Sequence, residues 1–99
     1  MAYEKKRRYT ADEAATITAP WQYAQLVDVT TNDWSDDGFA PTGMIIGVTG
    51  FIKLRLAGMD AGTYITLYLL EGVPYGLQVV EILTTGTDLS IRDKIWIFR

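Results

Sequence analysis

The 99-residue sequence contains neither cysteine nor histidine. Without cysteine there is no disulfide and no thiolate metal site. Without histidine there is no imidazole, which excludes a Ser-His nucleophile, a histidine-ligated zinc and histidine acid–base catalysis. Serine occurs only as Ser35 and Ser90, and a serine nucleophile here would need a lysine base. No apolar run approaches the roughly 20 residues of a membrane helix. The charged residues 1–8 are not followed by an apolar core, so no secretory signal is expected.

What is present fits one globular domain. The chain is 48% hydrophobic and long enough to bury a core of modest stability. Self-association is a natural way for such a chain to bury more surface. The net charge of −3 is unevenly placed. Residues 1–8 set Glu4 against Lys5, Lys6, Arg7 and Arg8, a net of +3. Residues 9–99 carry five basic and eleven acidic side chains, a net of −6. A basic arm on an acidic body suits electrostatic contact with a neighbouring copy or nucleic acid, or is simply a solvated terminus.

Residues 1–20 are read as a flexible basic arm. Thr10 and Glu13 have the spacing of a capping box, and Ala14 and Ala15 favour a helix of one or two turns that Pro20 stops. Residues 21–99 are read as a β domain. A first strand is expected over 22–30, with Tyr23, Gln25, Val27 and Val29 on one face. Residues 31–42 are rich in turn formers and read as loop.

A run of short strands separated by glycine-centred turns then fills residues 42–89. Strands are expected at 43–48, 51–57, 63–70 and 77–85. Ile52, Leu54 and Leu56 alternate with Phe51, Lys53 and Arg55; Ile65, Leu67 and Leu69 alternate with Tyr64, Thr66 and Tyr68. Paired across the loop at 58–62, these two strands turn their aliphatic sets to one core and place Lys53 and Arg55 beside the tyrosines. In the 77–85 strand the parity changes: Leu77 and Val79 share one phase, Val80, Ile82 and Thr84 the other. That implies a β-bulge or a strand buried on both faces. Residues 94–98, KIWIF, are apolar on both faces and need cover from the fold or from a neighbouring copy. About six short strands without a long helical pattern indicate an all-β fold, a compact β-sandwich or jelly-roll-like barrel.

The candidate chemistry is thin. Asp33, Asp36 and Asp37 before Gly38 resemble an oxygen-ligand loop, but Met44 stands where a calcium loop needs its distal glutamate. The expected reading is an acidic surface loop, with no metal and no cofactor. Glu71 and Glu81 are isolated carboxylates with nothing to mark a glycosidase pair. Gly47, Gly50, Gly58 and Gly62 are not followed by a Walker lysine, so they do not form a phosphate loop. The aromatic residues, among them Trp21, Trp34 and Trp96, suit a sugar platform, a single-stranded nucleic-acid stack, or core and subunit interface. The acidic body opposes phosphate binding, which disfavours nucleic acid.

The order of turns and strands over residues 25–98 resembles the head spike base proteins of gene transfer agents and the related small virion proteins of tailed phages. The residues that carry it are Ala40-Pro41-Thr42, Val48-Thr49-Gly50, Gly72-Val73-Pro74-Tyr75-Gly76 and Thr84-Thr85-Gly86-Thr87-Asp88. Thr85-Gly86-Thr87 after a strand is the most specific of them. The chain departs from that family's pattern at Gln78 and Glu81, where its members often carry basic residues, and residues 1–20 have no counterpart.

The resemblance implies a non-enzymatic virion structural protein on the capsid surface, assembled in the host cytoplasm. It would be a decoration or cement protein or a head spike base subunit. The expected partners are copies of the chain in a symmetric homo-oligomer, and the major capsid protein or other virion structural proteins. No membrane partner is expected. Lys5, Lys6, Arg7, Arg8, Trp96 and Phe98 are the expected partner contacts. The alternatives are a carbohydrate- or receptor-binding module of a virion, or a small single-stranded nucleic-acid-binding β-barrel.

Overall fold

A computed structural model describes residues 21–99. The basic residues 5–8 and the expected helix after Thr10 lie outside the described residues. The described chain is all-β. Its strands are β1 (Ala24–Val27), β2 (Trp34–Ser35), β3 (Gly43–Ile46), β4 (Gly50–Leu56), β5 (Ile65–Leu69), β6 (Val79–Ile82) and β7 (Ile95–Phe98). They form two antiparallel sheets, one of order β1-β7-β3 and one of order β2-β6-β4-β5. A single apolar cluster draws on both sheets, as in a β-sandwich.

The core follows from alternation. Ile52 and Leu54 of β4, Ile95 and Ile97 of β7, and Met44 and Ile46 of β3 are fully buried. Side chains two apart share a face of a strand, so each strand supplies one set to the interior. Burying one such side chain stabilises the fold by about 1.5–3 kcal/mol. Val29 and Ile91 join the cluster from outside the strands.

β4 and β5 pair in an unbroken register, with Phe51 opposite Tyr68 and Lys53 opposite Thr66. The parity change in the fourth run is a β-bulge. Arg55 faces Glu81 while Leu56 faces Val79, which leaves Val80 as the extra residue. The bulge brings both Val79 and Ile82 inward despite their different phases.

One expectation changes. The described residues hold seven strands rather than about six, because β2 lies inside the segment read as loop. Trp34 packs against the core and pairs with Ile82, and the surrounding turn formers keep that strand to two residues. The KIWIF strand has both of its edges covered within the chain, since β7 lies between β1 and β3.

Candidate functional site: sheet edges and outer faces

The expected contact residues on β7 lie on the outer face of the three-stranded sheet. Trp96 sits between Leu26 of β1 and Ile45 of β3. Leu26 is 52% exposed and Trp96 37% exposed. The result is an apolar strip across three strands. Phe98 continues that face and is half-buried under Trp21, whose ring stacks on it with centroids 4.9 Å apart. The Trp21 indole N–H donates to Thr42 Oγ1 at 3.1 Å, which fixes the stack. At the chain end, the Arg99 guanidinium lies 4.9 Å from both the Tyr23 and Phe39 ring centroids. Trp96 and Phe98 therefore share a surface, while residues 5–8 lie outside the described part.

The opposite sheet carries a polar and aromatic outer face. Phe51 and Tyr68 meet edge to face at 5.0 Å and are both exposed. Beyond them, Arg55 Nε donates to Glu81 Oε1 at 2.7 Å, and Arg55 also donates to the Met59 carbonyl. The Tyr64 hydroxyl donates to the same Glu81 oxygen at 3.3 Å. Partial desolvation, reinforced by the Glu81 carboxylate, holds the Tyr64 phenol above the usual tyrosine range. Glu81 is thus the acceptor of a cross-strand pair.

The acidic loop uses its carboxylates on the backbone. Asp33 Oδ1 accepts the Thr84 amide at 2.7 Å. Both Asp36 oxygens accept the Ala40 amide at 3.2 Å. Ala40 has a φ of 54°, a conformation uncommon for a side chain with a Cβ, and the Asp36 contacts hold it there. Among the described residues, no group of three or more His, Cys, Asp or Glu side chains is placed to hold a metal. A cleft of about 310 Å³ lies between this loop and the bulged part of β6. Its lining includes Asp36, Thr42, Gln78 and Val80, with Asp36 the one carboxylate.

The threonine-glycine turn is a backbone splice. Gly86 adopts a φ of 97°, which a residue with a Cβ rarely tolerates. This turn brings Thr87 and Asp88 alongside β4, past the end of β6. Thr87 Oγ1 accepts the Lys53 amide at 3.0 Å, and Asp88 Oδ2 accepts the Phe51 amide at 2.9 Å. The Asp88 amide returns a bond to the Phe51 carbonyl. Side chains here complete the ladder that β6 leaves unfinished.

The strand edges differ in how they are closed. The outer edge of β3 is sealed by residues 72–75, through reciprocal Met44–Tyr75 backbone bonds and a bond from the Gly72 amide to Ile46. β2 is only two residues long. β1 has Gln22 and Tyr23 before it, whose amides bond to the Arg99 carbonyl next to β7. β5 is an edge of the four-stranded sheet with no partner on its outer side among the described residues. Alternation assigns β5 its faces but not its edge position, because edge or centre is a property of the sheet.

Comparison with protein-family models, curated proteins and solved structures finds no match.

Proposed function

We propose that this chain is a non-enzymatic structural subunit of a phage-like virion that assembles with copies of itself on the head, as a decoration, cement or spike base protein. The observation that carries the self-assembly is the strip Leu26–Trp96–Ile45. It runs across three neighbouring strands and leaves the large apolar side chains of Leu26 and Trp96 partly in water. Such surface is stabilised when it meets another protein surface, and aromatic residues are enriched where subunits meet. The virion assignment is supported by the order of turns over residues 25–98, above all the Thr85-Gly86-Thr87 turn. The basic residues Lys5, Lys6, Arg7 and Arg8 suit contact with an acidic neighbour, since residues 9–99 carry a net of −6.

The test is particle occupancy. Co-expressed with the virion genes of its own source, the full chain is expected to co-purify with heads and to appear at symmetric positions in an image reconstruction. Leu26→Lys is expected to abolish that occupancy while the isolated chain stays folded. Particles that never carry the chain overturn the reading.

A second reading rests on the exposed Phe51–Tyr68 pair beside Lys53. This pair has the form of a small sugar platform. Glycan binding lost on Tyr68→Ala would favour it.

A further inference from the structure

We infer that β5 is a self-complementary edge, and that two copies of the chain join there, antiparallel, about a two-fold axis through Leu67. The inference deepens the self-assembling reading above and rests on it. It proceeds from the direction of the backbone groups. On β4, the Phe51 carbonyl accepts from Asp88 and the Lys53 carbonyl from Leu83, while the amides of both residues bond to Asp88 and Thr87. The odd-numbered residues Phe51 and Lys53 therefore point their backbone groups away from β5. Gly50, Ile52 and Leu54 point theirs at β5, opposite Leu69, Leu67 and Ile65. By the alternation of an antiparallel ladder, Thr66 and Tyr68 turn their N–H and C=O groups outward.

That outward row is what an edge strand offers to another extended chain, and sheets usually blunt it with lysine, proline, a bulge or a cover. β5 has no lysine or proline, and its register with β4 is continuous. Among the described residues only its C-terminal end is closed, where the Leu70 amide donates to the Tyr75 hydroxyl at 2.9 Å. The open part is the short outward row of Thr66 and Tyr68.

A second copy fits that row better than an arbitrary strand. With Leu67 opposite Leu67 of the second copy, Thr66 falls opposite Tyr68 of the second copy, and Tyr68 opposite its Thr66. Both positions present outward backbone groups, so the hydrogen bonds are reciprocal and each copy satisfies the other. The faces match as well. Ile65, Leu67 and Leu69 all lie on the inner side, so the two apolar rows abut, while Thr66 and Tyr68 lie together on the outer side. The two four-stranded sheets become one continuous sheet running β2-β6-β4-β5 and then back through the second copy. A slip by one residue would set apolar side chains against the outer face, so the register is specified.

Two kinds of measurement on the full chain test this. In unmodified protein, the Thr66 and Tyr68 amides are expected to pass from fast to slow hydrogen exchange as concentration drives assembly. The amides of β4 should stay slow throughout. The sequence has no cysteine, so a single Leu67→Cys substitution gives one thiol per chain. Directly opposed residues of a non-hydrogen-bonded pair have Cα atoms about 4.5 Å apart, within disulfide range. Leu67→Cys is therefore expected to form a covalent dimer under mild oxidation, and Ala24→Cys on β1 is not. Thr66→Pro removes an outward N–H and no bond to β4, and it is expected to halve the mass of the assembly. An oligomer whose Thr66 and Tyr68 amides exchange fast, and whose Leu67→Cys variant does not cross-link, overturns the β5 pairing alone. A chain that stays monomeric overturns the pairing and the self-assembling reading together.

Discussion

The Thr87 hydroxyl accepts the Lys53 amide at 3.0 Å, thirty-four residues away in sequence, at a point where β4 has no strand partner on that side. Thr87 is the one polar residue that is buried in the described structure. The threonine-glycine turn is thus a substitute for a strand, with side-chain oxygens doing what carbonyls do elsewhere in the ladder. Thr87→Val keeps the volume but removes the acceptor and leaves a backbone N–H unpaired. The expected loss is about 1–3 kcal/mol, measured by denaturant unfolding. Thr87→Ser is expected to recover most of it.

Gly50 is required by the same splice. A Cβ there would lie 2.5 Å from Asp88 Oδ2 and 2.8 Å from Ile91 Cδ1. Asp88 is held by the Phe51 amide and cannot withdraw without breaking that bond. Gly50→Ala is expected to lower stability by about 1–3 kcal/mol, as overpacking does. Gly58→Ala, where a Cβ meets nothing within 4 Å, serves as the control for a general glycine effect.

The Thr84 hydroxyl is buried without a hydrogen-bond partner among the described residues. A buried group that lost water and gained nothing destabilises the fold, and an isosteric methyl removes that cost. Thr84→Val is expected to raise the unfolding midpoint. A decrease would show that the hydroxyl has a partner.

Tyr64 gives the structure an alkaline sensitivity. Its folded-state pKa is raised, first by desolvation and then by Glu81. Between the unfolded and folded values the unfolded chain releases the proton first, so stability falls as pH rises. The contribution is complete below the ordinary tyrosine value of about 10 and is lost as pH climbs past it. The pH dependence of the unfolding midpoint above about pH 10 should flatten in Tyr64→Phe. An unchanged profile would assign the alkaline loss to other groups.

Alternation makes the strands legible, and the parity change in 77–85 marks an irregular strand, but a bulge and a strand buried on both faces give the same pattern, and only the register with β4 separates them. Pairing of β4 with β5 and their shared faces follow from the same rule. β2 is hidden because two residues carry no periodicity. Ile91 is hidden because it lies in a turn, where no repeat marks the inward direction, yet it is fully buried. The β5 edge, and the oxygens that finish the β4 ladder, depend on strand order and on contacts between residues distant in the chain. Local pattern does not contain that information.

Self-assembly through β5 and the Leu26–Trp96 strip makes a direct demand on solution behaviour. The mass of the purified full chain in solution, read by light scattering across concentration, tests it most directly. An assembly containing an even number of 11.1 kDa chains is expected, reduced by half in Thr66→Pro. A single 11.1 kDa species at every concentration would contradict it.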